Sequence, residues 1–193
     1  MLVSRPCRTG FRKAGSGCSD TGVRNIHTDP PGESDVMRVL VLSDTHGDVF
    51  SVRQALMSQP SAEVVFHLGD GAQDLMNLRT SFREKMFIQI RGNCDWGSSL
   101  PYDEEIDIEG VKIFAAHGHL YQVKLGETEL LSAARRRGAD IMLYGHTHVP
   151  DNRYEDGLYI FNPGSLHGYN GSYGYIDLTK QGIVTNIVKP GLR

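Results

Sequence analysis

The sequence predicts an α/β fold that becomes β-rich in its last third. From Met37 to about residue 144, short apolar runs alternate with segments whose apolar residues recur at helical spacing. A two-residue turn signal, Asp156-Gly157, then introduces a series of β-type segments. Small polar clusters follow directly on the apolar runs, at the positions where open α/β sheets bind their ligands.

Residues 1–36 stand apart. They are rich in Gly, Ser, Pro, Arg and Thr, show neither helical nor strand periodicity, and are expected to form a disordered arm. Arg5, Arg8, Arg12 and Lys13 precede any acidic residue, a faint echo of a transit peptide, and the lack of an apolar h-region excludes a secretory signal. Met37 reads as the functional start of a single domain spanning residues 37–193.

Within that domain, Val39–Leu42 is a run of the kind buried on both faces of a sheet. Asp48 can cap a helix whose Val49, Val52 and Leu56 share one face. A second strand, Val64–Leu68, ends at Gly69-Asp70. A short helix is expected around Leu75 and Leu78, then a strand over Met86–Ile90 that ends at Gly92-Asn93. Ile106–Ile108 and Val111–Ala115 read as a hairpin about Glu109-Gly110, Glu127–Arg137 as a helix, and Ile141–Tyr144 as a buried strand. The remainder, with strands at Leu158–Phe161, Tyr173–Leu178 and Ile183–Val188, is expected to be antiparallel.

Composition narrows the function. Apolar content of 39% with 22% charged residues is that of an ordinary soluble globular chain. No apolar stretch approaches the ~18 residues of a membrane span, so no membrane partner is expected. The net charge is −3, and from Met37 onward 15 Lys+Arg face 19 Asp+Glu, which disfavours nucleic acid as a partner. The one basic run, Arg135-Arg136-Arg137, closes a helix, where the dipole favours cations. Three cysteines, two of them in the arm, give no disulfide framework, so a cytoplasmic setting is expected.

The chemistry lies in the polar clusters. Asp44-Thr45-His46, Gly69-Asp70, Gly92-Asn93-Cys94-Asp95, His117-Gly118-His119 and Gly145-His146-Thr147-His148 each follow an apolar strand. One Asp-x-His at a strand end is ordinarily a cap or a turn. Five such clusters in one chain are hard to explain as packing. Carboxylates, imidazoles and one amide suit Mn, Fe, Zn or Ni better than thiolate-seeking ions. Asp44, His46, Asp70, Asn93, His117, His146 and His148 exceed what one ion can use. The surplus points to two ions sharing a bridging carboxylate, with Asp70 as the natural bridge.

In this order, and followed by Asn162-Pro163-Gly164-Ser165, the clusters resemble those of the calcineurin-like metallophosphoesterases, specifically the small YfcE-type phosphodiesterases. The resemblance runs from Met37 to about residue 188. It implies a four-layer α/β/β/α sandwich, two mixed sheets flanked by helices, with Asp44, His46, Asp70 and His148 on one metal and Asp70, Asn93, His117 and His146 on the other. It implies two divalent transition-metal ions, Mn first and Fe, Zn or Ni as alternatives. The implied reaction is attack of metal-bound hydroxide on the phosphorus of a small-molecule phosphoester. Cys94 stands where many superfamily members carry a histidine that helps to protonate the leaving group. The proton donor is therefore open: His119 with Asp95 behind it, or a second metal-bound water, with orientation of a ligand as the other role for His119. Cys94 is not expected to be a covalent nucleophile. Asp74 and His67 are left between support of the ligands and ordinary structural roles.

The other reading is a catalytically weak interaction scaffold of the same fold, as the retromer subunit that resembles this family. That subunit looks impaired at the Gly-Asp carboxylate and the Gly-Asn amide, whereas this chain keeps Asp70 and Asn93. The expected partner is a small phosphoester, and homo-oligomerisation is left open.

Overall fold

The structure, a computed structural model, describes residues 24–26, 36–76 and 78–190. Its elements are β1 (Arg24–Ile26), β2 (Val36–Leu42), α1 (Val49–Ser58), β3 (Ala62–His67), β4 (Met86–Gln89), β5 (Asp103–Ile108), β6 (Val111–Ala116), α2 (Thr128–Arg136), β7 (Ile141–Leu143), β8 (Asp151–Glu155), β9 (Leu158–Asn162), β10 (Tyr173–Thr179) and β11 (Gly182–Val188). They form a five-stranded sheet, β11-β10-β2-β3-β4, and a six-stranded sheet, β1-β5-β6-β7-β9-β8.

The two faces of each apolar run meet different partners, as strand alternation requires. Val39 and Val41 of β2 pack between the sheets with Phe66, Ile113, Leu143 and Phe161. Leu40 and Leu42 face outward and are covered by Val52, Ala55 and Leu56 of α1. On the other side, Leu130, Ala133 and Ala134 of α2 cover Phe114, Met142 and Ile160. The layer order is therefore helix, sheet, sheet, helix, as the resemblance implies. Each fully buried Leu, Ile or Phe here contributes ~1.5–3 kcal/mol. Among the described residues, no helix is long and apolar enough to cross a membrane.

Local signals hold where the chemistry is short-range. Asp48 caps α1, its carboxylate accepting the Ser51 N–H at 3.0 Å. Asp156-Gly157 joins β8 to β9 and Glu109-Gly110 joins β5 to β6, all four with positive φ.

Three expectations need correction. The segment around Leu75 and Leu78 buries both leucines but forms isolated turns, such as Asp74 N–H to Gly71 O and Leu78 N–H to Leu75 O, both at 3.0 Å. Distant anchors compete with a helix there: Asp95 takes the Gly71 and Ala72 N–H groups, and Asp74 is drawn to Thr45 and Gly47. The last third is not wholly antiparallel, because the chain reverses twice through β8 and β9 returns alongside β7 in parallel. Within the expected arm, Arg24–Ile26 forms β1, parallel to β5 at the sheet edge, and Val36 already belongs to β2. The rest of residues 1–35 lies outside the described residues.

The parallel strands β2, β3 and β4 of one sheet and β6, β7 and β9 of the other all run toward one rim. The polar clusters emerge there.

Candidate metal centre

The rim gathers all seven expected ligands. Asp44, His46 and His148 form one group, with His148 Nε2 at 3.1 Å from Asp44 Oδ1 and at 3.3 Å from His46 Nε2. Asp70, His117 and His146 form a second, with His117 Nε2 at 3.6 Å from Asp70 Oδ2. Asn93 Oδ1 joins it at 3.2 Å from His117 Nε2. Asp44 Oδ1 lies 4.0 Å from His117 Nε2, so the two groups abut.

Two observations test whether this donor set suits metal ions. Asp44 is fully buried, yet its Oδ1 has no hydrogen-bond partner. An unsatisfied buried carboxylate oxygen is costly, and a cation satisfies it. In addition, His117 Nδ1 faces the Leu68 carbonyl at 2.7 Å. A carbonyl only accepts, so Nδ1 carries the proton and Nε2 turns a lone pair toward the centre. Donors of one ion at bond lengths of ~2.0–2.2 Å stand roughly 3 Å apart, close to the separations observed. Burial, with the charge of Lys124, takes the pKa of His146 down to about 4, which leaves a neutral ring able to donate to a metal. The residues fit.

The backbone holds the ligands in costly conformations. Asp44 (φ 52°), His46 (45°), Asp70 (56°), His146 (67°) and His148 (62°) all occupy the left-handed region. Close packing enforces this. A Cβ on Gly92 would stand 2.0 Å from Asp70 Oδ1, and one on Gly145 would stand 2.1 Å from Ser43 Oγ, so only glycine lets these strands meet.

Around the ligands, other polar groups are already committed. The Asp44 Oδ2 accepts from Ser43 Oγ and from the His146 N–H at 3.0 Å, which joins the two sheets. The Asp70 Oδ1 accepts the Cys94 N–H at 2.7 Å. Asp95 accepts the N–H groups of Asp70, Gly71, Ala72 and Gly92 at 2.8–3.0 Å. Burial pushes its pKa up, but those four bonds more than offset this and hold it below the ordinary carboxylate value. Both oxygens serve the backbone, which shapes the Asp70 loop. His67 accepts the Gly69 N–H on Nδ1 at 3.3 Å, so its Nε2–H donates to Thr45 Oγ1 at 3.1 Å, and Thr45 donates to Asp74. Asp74 also accepts the Gly47 N–H at 3.0 Å. This relay braces the Asp44 and Asp70 loops against each other.

His119 flanks the second group, its ring 5.3 Å from that of His117 and 6.1 Å from that of His146. Its Nδ1 is buried without a partner. Burial lowers its pKa. Cys94 is exposed, and its Sγ lies within 4.8 Å of donor atoms of His46 and Asp70. Burial of the sulfur, then its hydrogen bond to Asp70, raises the thiol pKa, which disfavours the nucleophilic thiolate.

Several contributors lie outside the five clusters. Asn162 ends β9 and donates to Gly145 O (3.2 Å) and Thr147 Oγ1 (3.0 Å), fixing the His146/His148 loop. Ser165 donates to Asp44 O at 2.7 Å, and the His167 ring lies 6.0 Å from that of His46. Tyr144, directly before that loop, bonds to Glu127 (2.6 Å) and Asp151 (2.9 Å) and so pins its base. Asn162 and Ser165 belong to the Asn-Pro-Gly-Ser motif, which reads from its residues alone as a turn and enters the site only through the family resemblance, and His167 opens the aromatic segment that follows it.

Comparison with known proteins places this geometry. The model of the calcineurin-like phosphoesterase superfamily domain matches residues 37–181. The phosphodiesterase YfcE of Escherichia coli (strain K12) is 27% identical over 170 residues, covering 74% of this chain and 88% of that protein. Among solved structures, a predicted phosphoesterase from Streptococcus pneumoniae TIGR4 superposes with a TM-score of 0.70 at 25% identity, over 81% of this chain and 95% of that one. Vacuolar Protein Sorting 29 from Cryptosporidium parvum shares the fold at a TM-score of 0.62 and 18% identity, over 80% of this chain and 98% of that one.

Proposed function

This chain belongs to the calcineurin-like phosphoesterase superfamily, and from that premise we propose that it is a dinuclear metal-dependent phosphodiesterase of small-molecule phosphoesters. The observation that carries the proposal is the pair of abutting donor groups around the unpartnered Asp44 Oδ1. Asp44, His46, Asp70 and His148 would hold one ion, and Asp70, Asn93, His117 and His146 would hold the other, Asp70 being shared. Bound there, the ions supply Lewis acidity to the phosphoryl oxygens and an activated water for in-line attack. The donors, all oxygen or imidazole nitrogen, suit Mn, Fe, Zn or Ni; Mn is put first, as the resemblance implies.

The protein's own groups then have separable tasks. Ser43 and the His146 N–H orient Asp44, and the Leu68 carbonyl fixes the His117 tautomer. His119, beside the second ion's ligands, hands a proton to the departing oxygen from its imidazolium form, which its lowered pKa confines to the acid side of the ordinary imidazole range. Asp95 acts through the backbone of the Asp70 loop and touches no reacting atom, a narrower role than the proton relay that its sequence position suggested. The scaffold reading has the shared fold of the vacuolar sorting protein in its favour. The intact Asp70 and Asn93 favour the enzyme.

Metal content decides the matter. Loaded with Mn, the protein should carry two ions per chain and hydrolyse bis(4-nitrophenyl) phosphate, and chelation should abolish turnover. Full activity at one ion per chain would remove the dinuclear model. Two bound ions without hydrolysis of any phosphoester in a broad panel would favour the scaffold.

A further inference from the structure

On the His119 side of the rim, the Arg91 guanidinium has no anionic partner among the described residues. Arg91 stands between β4 and Asn93, its N–H donating to Pro101 O at 2.7 Å, which ties it to the segment leading into Tyr102. Its guanidinium carbon lies 5.0 Å from the centroid of the Tyr102 ring. The Tyr102 ring is 5.8 Å from that of His119, which is 5.3 Å from that of His117. A cation therefore lies along an aromatic row that ends at the metal centre. Among the described residues, Arg38, Arg135, Arg137 and Arg153 each pair with a carboxylate; Arg91 does not, and unlike Arg79, Arg83 and Arg136 its guanidinium has no hydrogen-bond acceptor either. Asp95, the acid four residues on, is committed to backbone N–H groups. Arg91 is also one of the charges felt at the His119 ring.

A guanidinium is charged at every relevant pH, and its planar fork matches carboxylate and phosphate oxygens. The Tyr102 ring lies against the guanidinium, whose N–H groups have no hydrogen-bond partner among the described residues. We propose that Arg91 is an anion subsite on the His119 side of the centre, recognising a carboxylate or phosphate group carried by the substrate's leaving group. Arg91 contacts Tyr102, which contacts His119, the neighbour of His117, so the group recognised is placed on the His119 side of the scissile phosphoryl group. This specificity role rests on the phosphoesterase reading and on the leaving group lying toward His119.

The test uses two methyl aryl phosphodiesters that differ only in the leaving phenol, 4-carboxyphenol or its neutral carboxamide counterpart, and the two corresponding non-hydrolysable phosphonates. The Mn-loaded wild type should favour the carboxylate member by about tenfold in kcat/KM and in phosphonate Kd, the range of one charge-assisted hydrogen bond at a part-exposed site. In Arg91→Gln the preference should fall to about one, and Arg91→Lys should keep part of it. Tyr102→Leu should lower the preference while leaving Arg91 in place, and Tyr102→Phe should not. A preference equal in wild type and Arg91→Gln, or absent from both, overturns the subsite. Phosphonate binding separates the two readings. If neither ester is hydrolysed but the charged phosphonate binds about tenfold tighter and loses that advantage in Arg91→Gln, the hydrolase reading fails and the anion subsite stands.

Discussion

A left-handed backbone costs an L-residue other than glycine on the order of 1 kcal/mol or more, and Asp44, His46, Asp70, His146 and His148 all adopt it. Asp and His tolerate that region better than branched residues do, so chemistry and conformation select the same side chains. The strain is maintained by contacts that do not involve metal, including the Asp95 bonds to the Asp70 loop and the Asn162 bonds to the Gly145 loop. His119 lies outside that clamp, which makes its role testable by itself. His119→Ala should keep both metals. It should lose on the order of 10²–10⁴-fold in turnover, the usual range for general acid–base catalysis, on esters with poor leaving groups. A nitrophenolate ester needs little protonation and should largely recover. Equal losses on good and poor leaving groups, or a missing ion, would place His119 in the metal shell instead.

At the scale of elements, what was legible in the sequence was whatever depends on near neighbours. The Asp48 cap, the Asp156-Gly157 turn and the alternation of Val39, Leu40, Val41 and Leu42 are such cases. The expected helix at Leu75 and Leu78 failed because Asp95 and Asp74 attach that segment to partners more than twenty residues away, and periodicity carries no such information. The seven candidate ligands were legible for another reason: side chains of metal-binding type directly after apolar strands form an unusual combination, and the topology brings those strand ends together. The β5–β6 turn offers a direct check on local chemistry. Glu109 and Gly110 both have positive φ (52° and 77°), a geometry that Asn-Gly adopts more readily than Glu-Gly. Glu109→Asn should raise stability by a few tenths to ~1 kcal/mol and leave metal content alone, as read from urea melts. A loss of stability would mean that the Glu109 side chain contributes more than its backbone costs.

For the whole molecule, the largest departure from the sequence reading lies in the first 36 residues. Three residues are too few for a periodicity to register, so β1 was unreadable, yet Arg24–Ile26 pairs with Ile106–Ile108 of β5. That end of β5 leads into the Glu109-Gly110 turn, whereas its other end, at Asp103, leads back to Tyr102 and the rim. The edge strand thus covers the half of β5 away from the metal centre. A chain beginning at Met37 loses β1, and it also loses Val36, which pairs with Thr179 of β10. Both losses fall at strand positions remote from the ligands, so the consequence should be thermodynamic and not chemical. The melting temperature should drop by ~2–4 °C for each kcal/mol lost in a domain of this size, while metal content and turnover stay those of the full chain. An unchanged melting temperature would mean that the β1 pairing contributes nothing to stability. A fall in metal content or turnover would mean that the segment before Met37 reaches the rim, and the boundary of the functional domain would then move toward the N-terminus.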